Sequence, residues 1–245
     1  MLKIKKPNII HQTKSYVFKT IKDKICFLKE KKIKITDFGI GDPKSSTPNY
    51  IANNISRYSC SNKNSGYPEY IGMSKYLKTC IFYLKKEYNI EISLKNQIAS
   101  TIGTKEAIFH LPIAFVKLND FVICPTPGYP IYKLSTNFAG GKIYFAAILE
   151  KNNFLLDLNT IPSNISQKSK IIWINYPNSP TGVLAPKKWL KELIEWANYF
   201  NIIIASDEGC YNNLYSHLKP ISLLKLSNNG IYNSHNNAQQ QIMIN

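Results

Sequence analysis

Short apolar runs alternate with amphipathic stretches along most of the chain. Four runs are bounded by turn residues, as buried strands are, and lie at residues 121–124, 142–145, 171–174 and 202–205. Between the last two runs, apolar residues recur on one face of a helix predicted over residues 187–200. A strand, a helix and a second strand in this order predict a parallel crossover unit. We therefore expect an α/β fold, with a mostly parallel sheet and flanking helices.

Two further stretches are predicted to be helical. From Pro68 to Tyr88, apolar residues recur every three or four positions, which is typical of an amphipathic helix packed on a sheet. A second such pattern runs from Ile108 to Val116, and Thr104 in front of it is a suitable N-cap.

Polar residues follow two of the predicted strands. The turn Asn175–Gly182 comes after the third apolar run, and the segment Asp207–Tyr211 comes after the fourth. In parallel sheets, ligands bind at the carboxyl ends of strands, where both segments fall. The alternative for Asp207 and Glu208 is a solvated pair that caps the next loop.

Composition narrows the classes of function. The chain has 245 residues, 44% of them hydrophobic, which is enough for a packed core. Its formal net charge of +16 invites a nucleic-acid partner, but Arg57 is the only arginine. Specific nucleic-acid surfaces draw on arginine for bidentate contacts, and the lysines here are spread along predicted surface helices. We expect weak attraction to polyanions at low salt and no specific nucleic-acid binding.

The cysteines and the two ends of the chain bear on its location. The five cysteines are far apart and form no metal-ligand cluster, which indicates buried thiols in a reducing compartment: Cys26, Cys60, Cys80, Cys124 and Cys210. The basic N-terminal region has no apolar core of a signal peptide and no membrane span, so we expect a cytoplasmic protein. Residues 228–245 are rich in Asn and Gln, which predicts a low-complexity tail without regular structure.

The two polar segments together resemble a known family. Asn178-Ser179-Pro180-Thr181-Gly182 and the strand end from Asp207 to Tyr211 resemble the class I/II aminotransferases of the aspartate aminotransferase type. The resemblance implies a pyridoxal 5'-phosphate-dependent enzyme with the type I fold of those transferases. It implies an N-terminal arm and small-domain segment over residues 1–48, an incomplete large domain over residues 49–227, and the tail over residues 228–245.

The resemblance also implies roles around the cofactor ring. Asp207 would hold the pyridine nitrogen protonated, so that the ring accepts electrons from the substrate. Tyr129, in the Pro-Gly-Tyr-Pro loop, would stack on the ring. Tyr211 would bind the 3-oxygen of the ring, together with either Asn178 or Ser179.

Other matching residues would bind the phosphate or the substrate. Gly103, Thr104 and Lys105 form a turn whose backbone amides and hydroxyl would meet the phosphate at a helix N-terminus. Tyr67 matches a residue that crosses a dimer interface to the partner's phosphate, which implies a homodimer. Gly41 lies in a loop on the substrate side.

The chain departs from the family pattern at two positions. The family has Asn directly before the Pro of its Asn-Pro-Thr-Gly motif, whereas this chain has Ser179 there and Asn178 one place earlier. The family has two residues between its Asp and Tyr, whereas Asp207 and Tyr211 are separated by three, as if Gly209 were inserted. A bulge would absorb the extra residue.

The resemblance is greatest to the bacterial enzymes of the diaminopimelate pathway. It implies amino-group exchange between LL-diaminopimelate or its N-succinyl form and 2-oxoglutarate, in lysine and cell-wall precursor synthesis. Aspartate or alanine transamination is the nearest alternative.

The family's Schiff-base lysine has no counterpart among the lysines of this chain. That lysine lies in a Ser-x-x-Lys segment some way beyond the family's Asp-x-x-Tyr motif. Ser222-Leu223-Leu224-Lys225 has this spacing, but it follows Asp207 and Tyr211 too soon, so we assign no catalytic residue. We expect a C-terminally truncated aminotransferase whose lysine lies in an adjacent reading frame. The alternatives are an inactive remnant, and a basic binding protein on an aminotransferase-like scaffold.

Overall fold

The computed structural model describes residues 17–38, 45–209, 221–228 and 241–244. The chain divides into two compact units, Met1–Pro68 and Glu69–Asn245. In the first unit, helix α1 spans Val17–Glu30 and helix α2 spans Asn49–Ser59, followed by a short 3₁₀ turn at Asn62–Asn64. The domain boundaries predicted above remain predictions.

The second unit alternates helices with strands. Its helices are α3 (Ser74–Tyr83, extended by a π-helical turn at Leu84–Tyr88), α4 (Thr104–Phe115), α5 (Pro130–Phe138), α6 (Ser163–Ser166), α7 (Lys187–Phe200) and α8 (Leu223–Asn228). Its strands are β1 (Phe121–Thr126), β2 (Lys142–Ala147), β3 (Ser169–Asn175), β4 (Ile203–Asp207) and β5 (Gln241–Ile244). Short 3₁₀ turns lie at Glu150–Asn152 and Leu158–Thr160.

The five strands form one sheet in the order β2-β1-β3-β4-β5. Every pairing between neighbouring strands in it is parallel. The predicted crossover of a strand, helix 187–200 and a further strand is present as β3, α7 and β4, so this prediction is confirmed. The four predicted strands are also confirmed, each a little longer or shifted by one residue.

Alternation along the strands separates the core into two layers. Ile171, Trp173 and Ala205 pack with α4 and α5 on one face of the sheet. Ile172 and Ile204 pack with α7 and α8 on the other face. Since successive side chains of a strand point to opposite faces, neighbouring residues at the end of β4 face different layers.

Two expectations about the chain are wrong. Residues 241–244 lie in the segment expected to lack regular structure, yet they form β5 beside β4. The cysteines were expected to be buried, but among the four whose environment the structure describes only Cys124 is buried, and Cys26 and Cys60 are exposed. Both exposed cysteines belong to the first unit, whose helix α2 buries none of its residues.

Candidate cofactor-binding site

Asp207 ends strand β4 and is partly buried. Its Oδ2 accepts a hydrogen bond of 2.6 Å from the hydroxyl of Tyr132, and its Oδ1 accepts one of 3.3 Å from the backbone amide of Gly209. Burial raises the pKa of Asp207, while the bonds from Tyr132 and Gly209 act against that rise. Among the described residues it forms no ion pair, so no positive charge there balances the carboxylate.

Asn175 joins the two predicted polar segments. It ends β3 and pairs in register with Asp207 across the parallel ladder. Its Nδ2 donates to the backbone carbonyl of Asp207 at 2.8 Å, and its Oδ1 accepts from the amide of Ser179 at 2.8 Å. The side chain is buried, so these bonds are shielded from water. Asn175 therefore fixes the turn after β3 against the end of β4.

Asn178 and Ser179 occupy different environments in this turn. Asn178 is buried; its Oδ1 accepts from the hydroxyl of Thr181 at 2.8 Å, and its Nδ2 donates to the carbonyl of Asn175 at 3.2 Å. Ser179 is exposed. The side chain of Asn178 thus serves the internal structure of the turn.

The start of helix α4 differs from the prediction. Gly103, and not Thr104, is the N-cap, with φ 74° and ψ 163°. Only glycine adopts this region readily, so the cap falls on Gly103, and the helix begins at Thr104, one residue earlier than predicted. Glu106 Oε2 accepts from the amide of Ile102 at 2.5 Å, an acidic contact that suits a helix N-terminus.

This turn lies beside the end of β4. A Cβ built on Gly209 would lie 3.9 Å from Cγ2 of Thr104 and 3.4 Å from Oδ1 of Asp207. The first amides of an α-helix have no intrahelical acceptors and favour an anion. The structure therefore brings a candidate anion site next to the Asp207 carboxylate.

Aromatic residues form the wall next to Asp207. Tyr129 meets Tyr132 edge to face, with ring centroids 5.8 Å apart and an interplanar angle of 78°. Tyr132 is stacked on Trp173 of β3, with centroids 4.6 Å apart and an angle of 10°. Sequence reasoning did not single out Tyr132 or Trp173. Tyr132 lies one helical turn after Tyr129, and this spacing was the available signal.

Glu208 points to the opposite face of the sheet. Its Oε1 accepts from the hydroxyl of Ser206 at 2.9 Å, the hydroxyl of Ser222 at 3.4 Å and the amide of Leu223 at 3.2 Å. Only 2% of Glu208 is exposed, and burial raises its pKa to about 7. The alternative of a solvated Asp207–Glu208 pair is therefore wrong.

Four predicted residues remain: Lys105, Tyr67, Gly41 and Tyr211. Lys105 is exposed on the first turn of α4. Tyr67 belongs to the first unit and is fully exposed. Gly41 and Tyr211 lie outside the described residues. The structure thus places Asp207, Asn175, Thr104 and the Tyr129–Tyr132 pair together around one strand end.

A family model for aminotransferases of class I and II matches residues 33–229. This is most of the chain. The chain belongs to the class I and II aminotransferases. The family resemblance and the α/β fold expected from the sequence are both confirmed.

Two curated relatives of this aminotransferase chain carry the same name. It is 38% identical over 198 residues to the LL-diaminopimelate aminotransferase of Aquifex aeolicus, covering 80% of this chain and 51% of that protein. It is 41% identical over 192 residues to the LL-diaminopimelate aminotransferase of Halothermothrix orenii, covering 78% of this chain and 49% of that protein. The chain thus spans about half the length of the curated relatives it matches.

Solved structures share the fold. Substrate-bound BacF from Bacillus subtilis is 26% identical, with a TM-score of 0.84, over 91% of this chain and 56% of its own. A mutant of Thermus thermophilus aspartate aminotransferase is 22% identical, with a TM-score of 0.81, over 92% of this chain and 58% of its own. The second likeness concerns the fold alone.

Two features are absent from the described residues. None of the helices in this part of the chain is both long enough and apolar enough to cross a membrane. No group of three or more His, Cys, Asp or Glu side chains there is arranged to hold a metal ion.

Proposed function

We propose that this chain binds pyridoxal 5'-phosphate and serves amino-group transfer between LL-diaminopimelate, or its N-succinyl form, and 2-oxoglutarate. The observation that carries the proposal is the partly buried Asp207 carboxylate, held at the end of β4 beside a helix N-terminus. The relatives' names support diaminopimelate as donor. We further propose a cytoplasmic location.

The residues of the site fit the cofactor. A buried carboxylate without a cationic partner is costly, and a protonated pyridine nitrogen would supply the missing positive charge. The Gly103–Thr104 turn offers amides to a phosphate, and apart from the two chain neighbours no described residue lies within 4 Å of the Cβ position of Gly103. When bound, the cofactor would supply a ring that accepts electrons from the substrate.

The chain's own residues would bind and orient this group. Asp207 would hold the proton at the ring nitrogen, and Tyr129 would fix the plane of the ring. Thr104 would donate its hydroxyl to the phosphate, beside the amide and side chain of Lys105. For the 3-oxygen we propose Ser179, since the side chain of Asn178 is engaged with Thr181 and Asn175.

Pyridoxamine 5'-phosphate is the best probe for this site. It cannot form imines with the many surface lysines, so calorimetric titration reports binding at the site itself. We expect Asp207→Asn to lower its affinity about 10- to 100-fold, because a charge-assisted hydrogen bond contributes about 1.5–3 kcal/mol. Asp120→Asn is the matched control: this carboxylate accepts from the amide of Lys117 at 2.9 Å and precedes the amino end of β1.

The same titration can contradict the proposal. Equal affinity in the wild type and the Asp207→Asn variant, or no binding by the wild type, would show that this strand end is not a cofactor site. Turnover is followed as glutamate formed from 2-oxoglutarate, with diaminopimelate expected to be the preferred donor. Preference for aspartate or alanine would replace the substrate assignment. Absence of turnover beside Asp207-dependent binding would favour a non-catalytic remnant.

We also propose a homodimer, with Tyr67 reaching the partner's cofactor phosphate. The full exposure of Tyr67 supports this role, because the side chain is available to another subunit. Sedimentation should give a mass near twice 28.0 kDa. A monomer that binds pyridoxamine 5'-phosphate equally well with and without the Tyr67 hydroxyl would contradict it.

A further inference from the structure

Tyr132 reaches Asp207 from helix α5, on the face of the sheet opposite Glu208. Its hydroxyl donates to Oδ2 of Asp207 at 2.6 Å, a short distance of the kind that charged acceptors give. Only 1% of Tyr132 is exposed, so water does not compete for this bond. The other bond to the carboxylate, from Gly209, is longer at 3.3 Å.

The ring of Tyr132 is fixed by its neighbours. One face lies on Trp173 at 4.6 Å and 10°, and Tyr129 meets the ring edge to face. Trp173 is fully buried, and its Nε1 has no hydrogen-bond partner among the described residues. The indole is therefore held by packing, and its stacking contact fixes the orientation of the Tyr132 ring.

We propose that Tyr132 is a positioning residue, whose hydroxyl, held flat against Trp173, orients the Asp207 carboxylate and keeps it ionised for the cofactor nitrogen. This rests on the proposed function for the role of Asp207. The contact between Tyr132 and Asp207 does not depend on that function, because it is given by the hydrogen bond and by the stacking of Tyr132 on Trp173.

The charge balance around Asp207 explains why the hydroxyl matters. Burial raises the pKa of Asp207, and the bond from Tyr132 is the larger of the two hydrogen-bond effects that lower it. Among the described residues, the other titratable groups that interact with Asp207 or Tyr132 carry no positive charge: Cys124 of β1, Tyr129 before α5, and Glu208. Lys105 on α4 is exposed to solvent. Without Tyr132, the Gly209 amide would be the one described hydrogen-bond donor left to the carboxylate.

Tyr132→Phe keeps the stacked ring and removes only the hydroxyl. Tyr176→Phe is the matched control, because Tyr176 is also buried against a tryptophan, Trp189, and its hydroxyl accepts from Leu156 and donates to Phe154 without touching Asp207. The Asp207 carboxyl is followed by carbon NMR through a pH titration of the chain without cofactor. Affinity for pyridoxamine 5'-phosphate is measured on the same samples.

We expect Tyr132→Phe to move the Asp207 titration upward by about one pH unit or more and to lower affinity about tenfold near neutral pH. Tyr176→Phe should change neither. An unchanged Asp207 titration in Tyr132→Phe would overturn the inference. If the wild type binds no cofactor, the proposed function fails, while the titration still decides whether Tyr132 acts on Asp207.

A second variant covers the case in which Tyr132→Phe does not fold. Replacing Tyr132 with 3-fluorotyrosine keeps the packing and makes the hydroxyl a more acidic, stronger donor. The Asp207 titration should then move downward, opposite to Tyr132→Phe. Movement upward, or none, would contradict the proposed role.

Discussion

Asn175 and Asp207 lie opposite each other at the ends of adjacent parallel strands, and Nδ2 of Asn175 donates to the carbonyl of Asp207 at 2.8 Å. The same side chain accepts from the amide of Ser179. A single buried amide thus ties together the two segments that the sequence singled out. The position of Asp207 therefore depends on β3 as well as on its own strand.

Replacing Asn175 with Ala is expected to destabilise the chain by about 2–3 kcal/mol, because it leaves a buried carbonyl and an amide without partners. The free energy of unfolding in urea measures this. Asn54→Ala is the control: Asn54 donates to the carbonyl of Tyr50 at 2.7 Å, but on an exposed helix surface. The control should stay within about 0.5 kcal/mol of the wild type. Equal effects of the two substitutions would show that Asn175 does not fasten the strand ends.

Much of this arrangement follows from local sequence pattern. Two apolar runs form β3 and β4, and the amphipathic helix α7 lies between them in sequence. Because the two strands are parallel, Asn175 and Asp207 lie at the same edge of the sheet. The bond between Tyr132 and Asp207 joins residues 75 positions apart in sequence. Its geometry depends on how α5 packs on Trp173, and hydrophobic periodicity along the chain does not predict that packing.

The sequence pattern also failed to predict two local features, the cap of α4 and strand β5. The sequence favours Thr104 as a cap by residue type, but the backbone places Gly103 there with positive φ. Strand β5 has only four residues and forms by pairing with β4. Because the residues around it are rich in Asn and Gln, the sequence pattern did not predict it.

Gly103→Ala is expected to cost about 1–3 kcal/mol, because its backbone lies in a region that is essentially limited to glycine. Apart from its two chain neighbours, no described residue lies within 4 Å of the new Cβ, so the cost comes from the backbone and not from a clash. Gly66→Ala is matched to it, since Gly66 has equally open surroundings without positive φ. That control should be neutral or slightly stabilising. Urea unfolding distinguishes the two, and equal stability of the two variants would contradict the backbone argument.

Glu208 is expected to make the chain less stable as the pH rises from about 4.5 to about 7. Burial raises the pKa of Glu208 in the folded chain from 4.5 to about 7. Across this window the folded state holds more protons than the unfolded state, so the stability present below the unfolded pKa is lost as the pH rises through the folded pKa. Glu208→Gln cannot titrate, while its amide oxygen can accept the same hydrogen bonds.

The stability of Glu208→Gln relative to the wild type should therefore increase by about 3 kcal/mol between about pH 4.5 and about pH 8. Urea unfolding at several pH values measures the difference. A flat difference for Glu208→Gln would show that the carboxyl titrates normally in the folded chain.

Cys124 is expected to resist alkylation in the folded chain. It lies in β1, where only 2% of the residue is exposed, and burial raises the pKa of its thiol to about 12. Thiolate is the reactive form, so both access and ionisation protect it. Brief iodoacetamide treatment near neutral pH, followed by peptide mass mapping, should label Cys26 and Cys60, which are exposed, and leave Cys124 unmodified.

Labelling in urea provides the control, because unfolding should make all of these thiols react alike. Equal labelling of Cys124 and Cys60 without urea would mean that this face of the sheet opens to solvent, and the buried environment assigned to the neighbouring Tyr132 would then be wrong as well.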